Sequence, residues 1–256
     1  MTHLFFKATG FTSGRDLPAL SKVEPLIPNV ENKAFGHWIF GGDESSLIDV
    51  VNQRSLTLQS GATTQPVYTG SSVTIPTTAG NALLSDLNDE SSQSLTLCAV
   101  VKCSSTVLSI LLGNLVPSSS TESSGLGAFA SAGKAYLTLK PQAAGGPGGI
   151  GSLTPAGNIV QTNNFFIAVS VDKSTKKGIV YVQQSGAELS NEALYTAESY
   201  QSSLNKIAIG NVAYTGAAGS ATYSEAIIFN KALNLAEIKA VALRSKERLL
   251  SRNVNF

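Results

Sequence analysis

Two short stretches hold the carboxylates that could act together. "GGDESSLID" supplies Asp43, Glu44 and Asp49, and "SDLNDESS" supplies Asp86, Asn88, Asp89 and Glu90. Oxygen ligands at such spacing suit a hard cation, and alternate residues Asp86, Asn88 and Glu90 could converge. The ordinary alternative is a pair of solvated acidic turns, where Asp and Asn favour the backbone geometry. A different chemistry needs an exposed aromatic ring to stack on a pyranose, with amides and carboxylates to bond its hydroxyls. "NEALYTAESYQSSLN" offers Tyr195, Tyr200, Asn191 and Gln201 in what reads as a loop between strands. "GNVAYTGAAG" offers Asn211 and Tyr214, and Tyr68 precedes the segment "SVTIP". Each tyrosine has an alternative use, with its ring against a sheet and its hydroxyl at the surface.

Catalytic patterns are scarce. No glutamate is followed two positions later by aspartate, so the strand-borne carboxylate pair of a glucanase is missing. No Gly-x-Ser-x-Gly elbow, His-Glu-x-x-His or phosphate-loop motif occurs, and "GGPGGIGS" lacks the lysine and following helix of the last. Of the two histidines, His3 and His37, the second adjoins Trp38 on a strand and reads as a surface or edge residue. Trp38 itself reads as core. The expectation is a protein without enzymatic activity. Cys98 and Cys103 are five positions apart along one strand, roughly 16 Å at 3.3 Å per residue, and on opposite faces. A disulfide needs Cα atoms within about 7 Å, so two free thiols are expected.

The composition narrows the class. Hydrophobic residues make up 43% of the 256, enough for a large core. The charged fraction is 14% and the net charge +1, without the basic stripe a nucleic-acid binder needs. Apolar runs fall well short of the roughly 20 residues of a spanning helix, so no membrane partner is expected. No stretch near Met1 has the charged, apolar and small-residue regions of a signal peptide, so export by that route is not expected.

The elements that must position these residues read as short strands. "FGHWIF", "SLTLQS" and "SVTIP" open the body. "SLTLCAVVK" puts Leu95, Leu97, Ala99 and Val101 on one face, with the other face also apolar, so it reads as a central strand. "TVLSILLGN", "AYLTLK", "KIAIGN" and "ATYSEAIIFN" follow the same pattern, and "NFFIAVSVD" and "GIVYVQQSG" are joined as a hairpin by "KSTKK". "PSSSTESSGLGAFASAG" and "PQAAGGPGGIGSLTPAG" read as long loops. Asn234 with Glu237 three residues on forms a capping box, and Leu235, Ile238, Val241 and Ala242 make the stripe of a closing helix. Residues 1–33 carry Pro18, Pro25 and Pro28 among many large apolar residues, and read as an extended arm ahead of a domain at 34–256.

The order of these pieces resembles the concanavalin A-like jelly roll, in its laminin-G and pentraxin-like branch. The resemblance rests on "GHWIFGGDESSLIDVVNQRSLTLQSG", "SQSLTLCAVVK", "FFIAVSVDKSTKKGIVYVQQSG" with Tyr181, and "KIAIGN" followed by "YSEAIIFNKALNLAEIKAV", over about 34–245. It implies an all-β fold, a two-layer antiparallel jelly-roll sandwich with an extended N-terminal arm and a short C-terminal capping helix. It also makes rim-bound Ca²⁺ a candidate at Asp86, Asn88, Asp89 and Glu90. By analogy, a domain of this kind behind a leading arm looks like a bacteriophage tail or fibre component. The expected partners are then a host surface glycan, other virion proteins through the arm, and two further copies in a homotrimer. The rivals are a purely structural virion protein and a degenerate glycosidase with an unrecognised carboxylate pair.

Overall fold

Residues 30–90, 92–116, 124–140, 151–196 and 200–256 are described by a computed structural model. The expected arm therefore lies outside the described residues except at its last four positions, as does 141–150 of the second expected loop. In chain order the first strands are β1 (Gly36–Ile39), β2 (Thr57–Leu58), β3 (Val67–Tyr68), β4 (Val73–Pro76) and β5 (Leu83–Asn88). Next come β6 (Leu95–Cys103), β7 (Ser109–Gly113), β8 (Gly125–Ser131), β9 (Lys134–Lys140) and β10 (Ser152–Leu153). The last are β11 (Phe165–Asp172), β12 (Lys177–Gln184), β13 (Ala187–Leu194), β14 (Lys206–Ile209) and β15 (Ser220–Phe229), ahead of helix α1 (Leu235–Leu250).

The strands form two antiparallel sheets face to face, the all-β sandwich expected. The eight-stranded sheet runs β13-β12-β11-β6-β15-β4-β3, with β1 also paired to β15. The seven-stranded sheet runs β10-β9-β8-β7-β14-β5-β2. The central strand reads correctly from its alternation. Leu95, Leu97, Ala99 and Val101 face the core between the sheets, while Cys98 and Val100 join the cluster on the outer face. Cys98 and Cys103 are accordingly free thiols in different clusters. Trp38 is buried and its indole N–H donates to the Leu47 carbonyl at 3.0 Å.

Five strands were not legible as strands. β8 falls in the first "loop" and β10 in the second, β5 carries one acidic cluster, and β13 takes in Asn191; β3 is only two residues long. β13 joins β12 through Ser185 and Gly186, both at positive φ (49° and 82°), as a two-residue hairpin with matching strand twist requires. The β11–β12 turn is held by Asp172, whose carboxylate accepts from the Ser174 and Thr175 backbone N–H and hydroxyl groups. Burial pushes that carboxyl up, but those four bonds win and hold it at about 2.

The helix does not close an open end of the sandwich, as its sequence suggested. It lies as a third layer on the outer face of the eight-stranded sheet. Ile238, Val241, Ala242 and Leu249 pack there against Cys98, Val100, Phe166, Ala168, Tyr181, Ile227 and Phe229. Each such apolar side chain contributes roughly 1.5–3 kcal/mol on burial. The capping box is present as expected, with Asn234 accepting from the Glu237 backbone and Glu237 from that of Asn234.

A β-bulge sets what the helix meets. In β15, Tyr223 pairs with Val101 and Glu225 with Val100, so Ser224 is an extra residue. Before it Ala221 and Tyr223 point inward; after it Ala226 and Ile228 do. The shift of phase sends Glu225 outward, beneath α1, where an unbroken alternation would drive it into the core. There its Oε1 accepts from His37 Nε2 and from Arg248 Nε, each at 2.8 Å. His37 is thus fully buried, against the edge position its sequence suggested, because this distant carboxylate satisfies it. Its Nδ1 accepts the Glu31 backbone N–H at 3.0 Å, so Nε2 carries the proton given to Glu225. Glu31 in turn accepts from Arg248 Nη1 at 3.0 Å and from Arg244 at 2.8 and 2.9 Å.

Both carboxyls in this network sit below their usual 4.5. Burial pushes Glu225 up, but the His37 hydrogen bond and the Arg248 charge outweigh it; for Glu31 the two arginines do the same. A lowered folded value gives stability that is fully present above the unfolded value of 4.5 and is lost progressively as the pH falls below it and through the folded value. Arg248→Met leaves Glu225 with His37 and Glu31 with Arg244 as their remaining partners, and is expected to cost about 3 kcal/mol at neutral pH. Denaturant titrations across pH should show that deficit shrinking below pH 4.5, where both acids take up protons. A deficit independent of pH would contradict the assignment.

Candidate functional site

The residues singled out in the sequence fall in several separate places. Asp86 and Asn88 are exposed on β5, and Asp86 pairs with Arg54 at 2.5 Å. Asp89, next along the chain, turns the other way and is buried. Its carboxylate accepts from Lys173 Nζ at 2.6 Å, Tyr200 Oη at 2.6 and 2.7 Å, the Ser203 backbone N–H at 3.2 Å and Asn114 Nδ2 at 3.3 Å. Lys173 also donates to the Glu90 carbonyl and lies over the Tyr200 ring, 4.9 Å from its centroid. Asp89 is therefore turned away from the exposed Asp86, Asn88 and Glu90. The cation beside Asp89 is the lysine ammonium, and among the described residues no group of three His, Cys, Asp or Glu is placed to hold a metal.

Two sets that the sequence kept apart are joined here. Tyr200, expected at a sugar site, is bonded to Asp89, expected at a metal site, 111 residues away in the chain. Tyr195 stands edge-on to Tyr200 at 6.0 Å and donates to the Asp172 carbonyl at 3.3 Å. Burial and the nearby carboxylates push the Tyr195 phenol up to about 12 and raise the Tyr200 phenol well above its usual value, so both remain donors. Gln201 is exposed, and its backbone bridges the Lys140 carbonyl and the Gly125 N–H at the end of the seven-stranded sheet. Asn191 lies apart on β13, donating to the Thr154 carbonyl at 2.9 Å. Asn211 is buried at the other end, where its amide spans the Thr77 and Tyr214 carbonyls and the Tyr214 N–H. These tyrosines and amides are thus largely committed to holding loops.

An opening with exposed polar groups lies at the lateral edge of the sandwich. β3 ends the eight-stranded sheet and β2 ends the seven-stranded one, each only two residues long. Residues 43–56 cross between these edges, and beside them opens a groove of about 850 Å³. Tyr68 forms one wall, with Leu47 and Ile48 as apolar floor and Asp43, Glu44 and Ser55 as polar rim. The first acidic cluster is therefore split. Asp49 is buried and accepts backbone N–H bonds from His37, Val51, Asn52 and Arg54, which fixes the loop. Asp43 caps the short 3₁₀ turn Glu44–Leu47 from outside, accepting the Ser45 N–H at 2.8 Å. The Ser45 hydroxyl and backbone hold its carboxyl below the usual range. Burial, then the charges of Glu44 and Asp43, push the Tyr68 phenol up, so the ring and both carboxylates share one small region. The sequence contained each of these residues but no spacing that joined them. Sheet edges did.

No family model matches this sequence, and no curated protein does. Solved structures match by fold. The binding domain of botulinum neurotoxin serotype G superposes with a TM-score of 0.58 at 11% identity, covering 83% of this chain and 51% of that one. The serotype D ligand-binding domain, solved with N-acetylneuraminic acid, gives 0.54 at 13% identity over 83% and 51%. Trypanosoma rangeli sialidase, solved with a difluoro-KDN inhibitor, gives 0.59 at 14% over 88% of this chain and 36% of the enzyme. The chain thus spans about half the length of the toxin domains and about a third of the sialidase. These similarities establish the β-sandwich fold.

Tyr200→Phe removes one donor from a buried carboxylate and is expected to cost about 1–3 kcal/mol in denaturant unfolding. Millimolar Ca²⁺ or a chelator should leave the melting temperature of the unsubstituted protein unchanged, since Lys173 already neutralises Asp89. A calcium-dependent rise of several degrees would restore the acidic stretch as a cation site.

Proposed function

We propose that this chain is a carbohydrate-binding β-sandwich module without catalytic activity, and that it binds sugar in the lateral groove. The observation that carries the reading is the meeting of an aromatic wall, Tyr68, with Asp43, Glu44, Ser45 and Ser55 around a groove of about 850 Å³. An amphipathic ring offers a pyranose its apolar face, and the rim offers acceptors and hydroxyls to the sugar's edges. The presence of N-acetylneuraminic acid in a toxin domain of the same fold supports a sugar as the ligand class. Hydrolysis is less well supported. A glycosidase needs a carboxyl pushed up to serve as acid, whereas Asp43 is held down.

We extend the proposal to a module of a phage tail or fibre that binds a host surface glycan. In it, residues 1–33 join other virion proteins and three copies assemble. That extension rests on the sequence resemblance and on the large apolar residues of the leading segment. One observation favours the structural alternative, in which the sandwich contacts only other virion proteins. Leu194 and Leu204 are 72% and 97% exposed at the same end of the sandwich, as surfaces awaiting a protein partner are.

The test is titration of the purified chain with a panel of bacterial surface polysaccharides, alongside Tyr68→Ala. Saturable binding weakened at least tenfold in the variant, with a retained cooperative melt, is expected. Absence of binding by the folded protein would transfer the assignment to the structural role.

A further inference from the structure

The groove's charge points to the class of sugar it takes, if it is a sugar site as proposed above. Its rim carries two exposed carboxylates, Asp43 and Glu44, and none of the residues lining it is cationic. The arginines nearest in the chain and in space are engaged elsewhere. Arg54 pairs with Asp86 and lies over the Phe35 ring at 4.0 Å, and Arg252 donates to the Phe40 and Gly70 carbonyls.

We infer that the groove selects sugars bearing a free ammonium group, as in glucosamine polymers, and disfavours acidic sugars. A sialic-acid carboxylate stacked on Tyr68 would face Asp43 and Glu44 with no cation among the lining residues to receive it. An amino group at the same place would find one or two acceptors. Asp43 is the more dependable of these, because the Ser45 N–H at 2.8 Å fixes its carboxylate while leaving the group solvent-exposed. This selectivity is opposite in sign to that needed for the N-acetylneuraminic acid found in the serotype D toxin domain. The shared fold therefore does not carry a shared ligand. Exposed charge pairs are individually weak, so the preference should be about tenfold at low salt and fade as ionic strength rises.

Isothermal titration of the full chain with chitosan oligosaccharide, the N-acetylated oligosaccharide of the same length, and N-acetylneuraminic acid separates the outcomes. The first two share one backbone and differ at the nitrogen, where acetylation removes the charge and adds an acetyl group, so the D43N/E44Q variant is needed to isolate the charge. About tenfold tighter binding of the free-amine form is expected. That advantage should be lost in the D43N/E44Q double variant, while Tyr68→Ala weakens both forms. Asp43→Asn keeps an acceptor for the Ser45 N–H, so the turn should survive. Tyr68-dependent binding with no preference for the amine, or with a preference for the acid, would overturn the charge inference and leave the groove as a sugar site. Binding indifferent to Tyr68, or none at all, would overturn both.

Discussion

A carboxylate placed beyond the reach of water organises the molecule. Glu225 lies on a central strand, and only its partners make that position tolerable: His37 from β1 and Arg248 from the helix, each at 2.8 Å. One residue of bulge at Ser224 turns it toward them. Because the cost of an unpaired buried charge is several kcal/mol, this contact fixes the helix in register and draws in Glu31 and Arg244. The start of the described chain and its last helix are thereby pinned to the same strand. An apolar layer of Ile238, Val241 and Leu249 alone would bind the helix but leave its rotation and axial position less sharply set.

With the eight-stranded sheet sealed on its outer face, the groove forms where the sandwich is not sealed. β2 and β3 are too short to bring the two edges together, and the segment 43–56 covers them instead. It is tied down from within, by Asp49 on four backbone amides and by Leu47 under the Trp38 indole. A rigid loop with its internal acid satisfied can present its outer acids, Asp43 and Glu44, to solvent at fixed positions.

Much of the sandwich was legible from alternation. β6, the β11–β12 hairpin, the helix cap and the separated thiols follow from local spacing, and local spacing is what a sequence displays directly. The failures have physical reasons. β8 reads as a loop because its Gly and Ala are small for packing; a Cβ on Gly127 would come within 2.5 Å of the Leu115 side chain. β13 reads as a loop because an edge strand exposed along most of its length needs no apolar face. His37 looked like a surface residue because its partner lies 188 residues away. The candidate site fared worse than the fold. Asp89 and Tyr200 were assigned to different chemistries, and the groove joins Asp43 to Tyr68 through two sheet edges that no sequence period marks. Polar residues announce their chemistry in a sequence but not whether that chemistry is already spent inside the protein.

The most direct measurement is a backbone-amide NMR titration of the ¹⁵N-labelled chain with a bound sugar. The account predicts shift changes confined to residues 43–56 and the Val67–Tyr68 strand, with the Tyr195 to Gln201 segment unmoved. Changes centred on Tyr195, Tyr200 and Gln201, with the lateral groove silent, would contradict it.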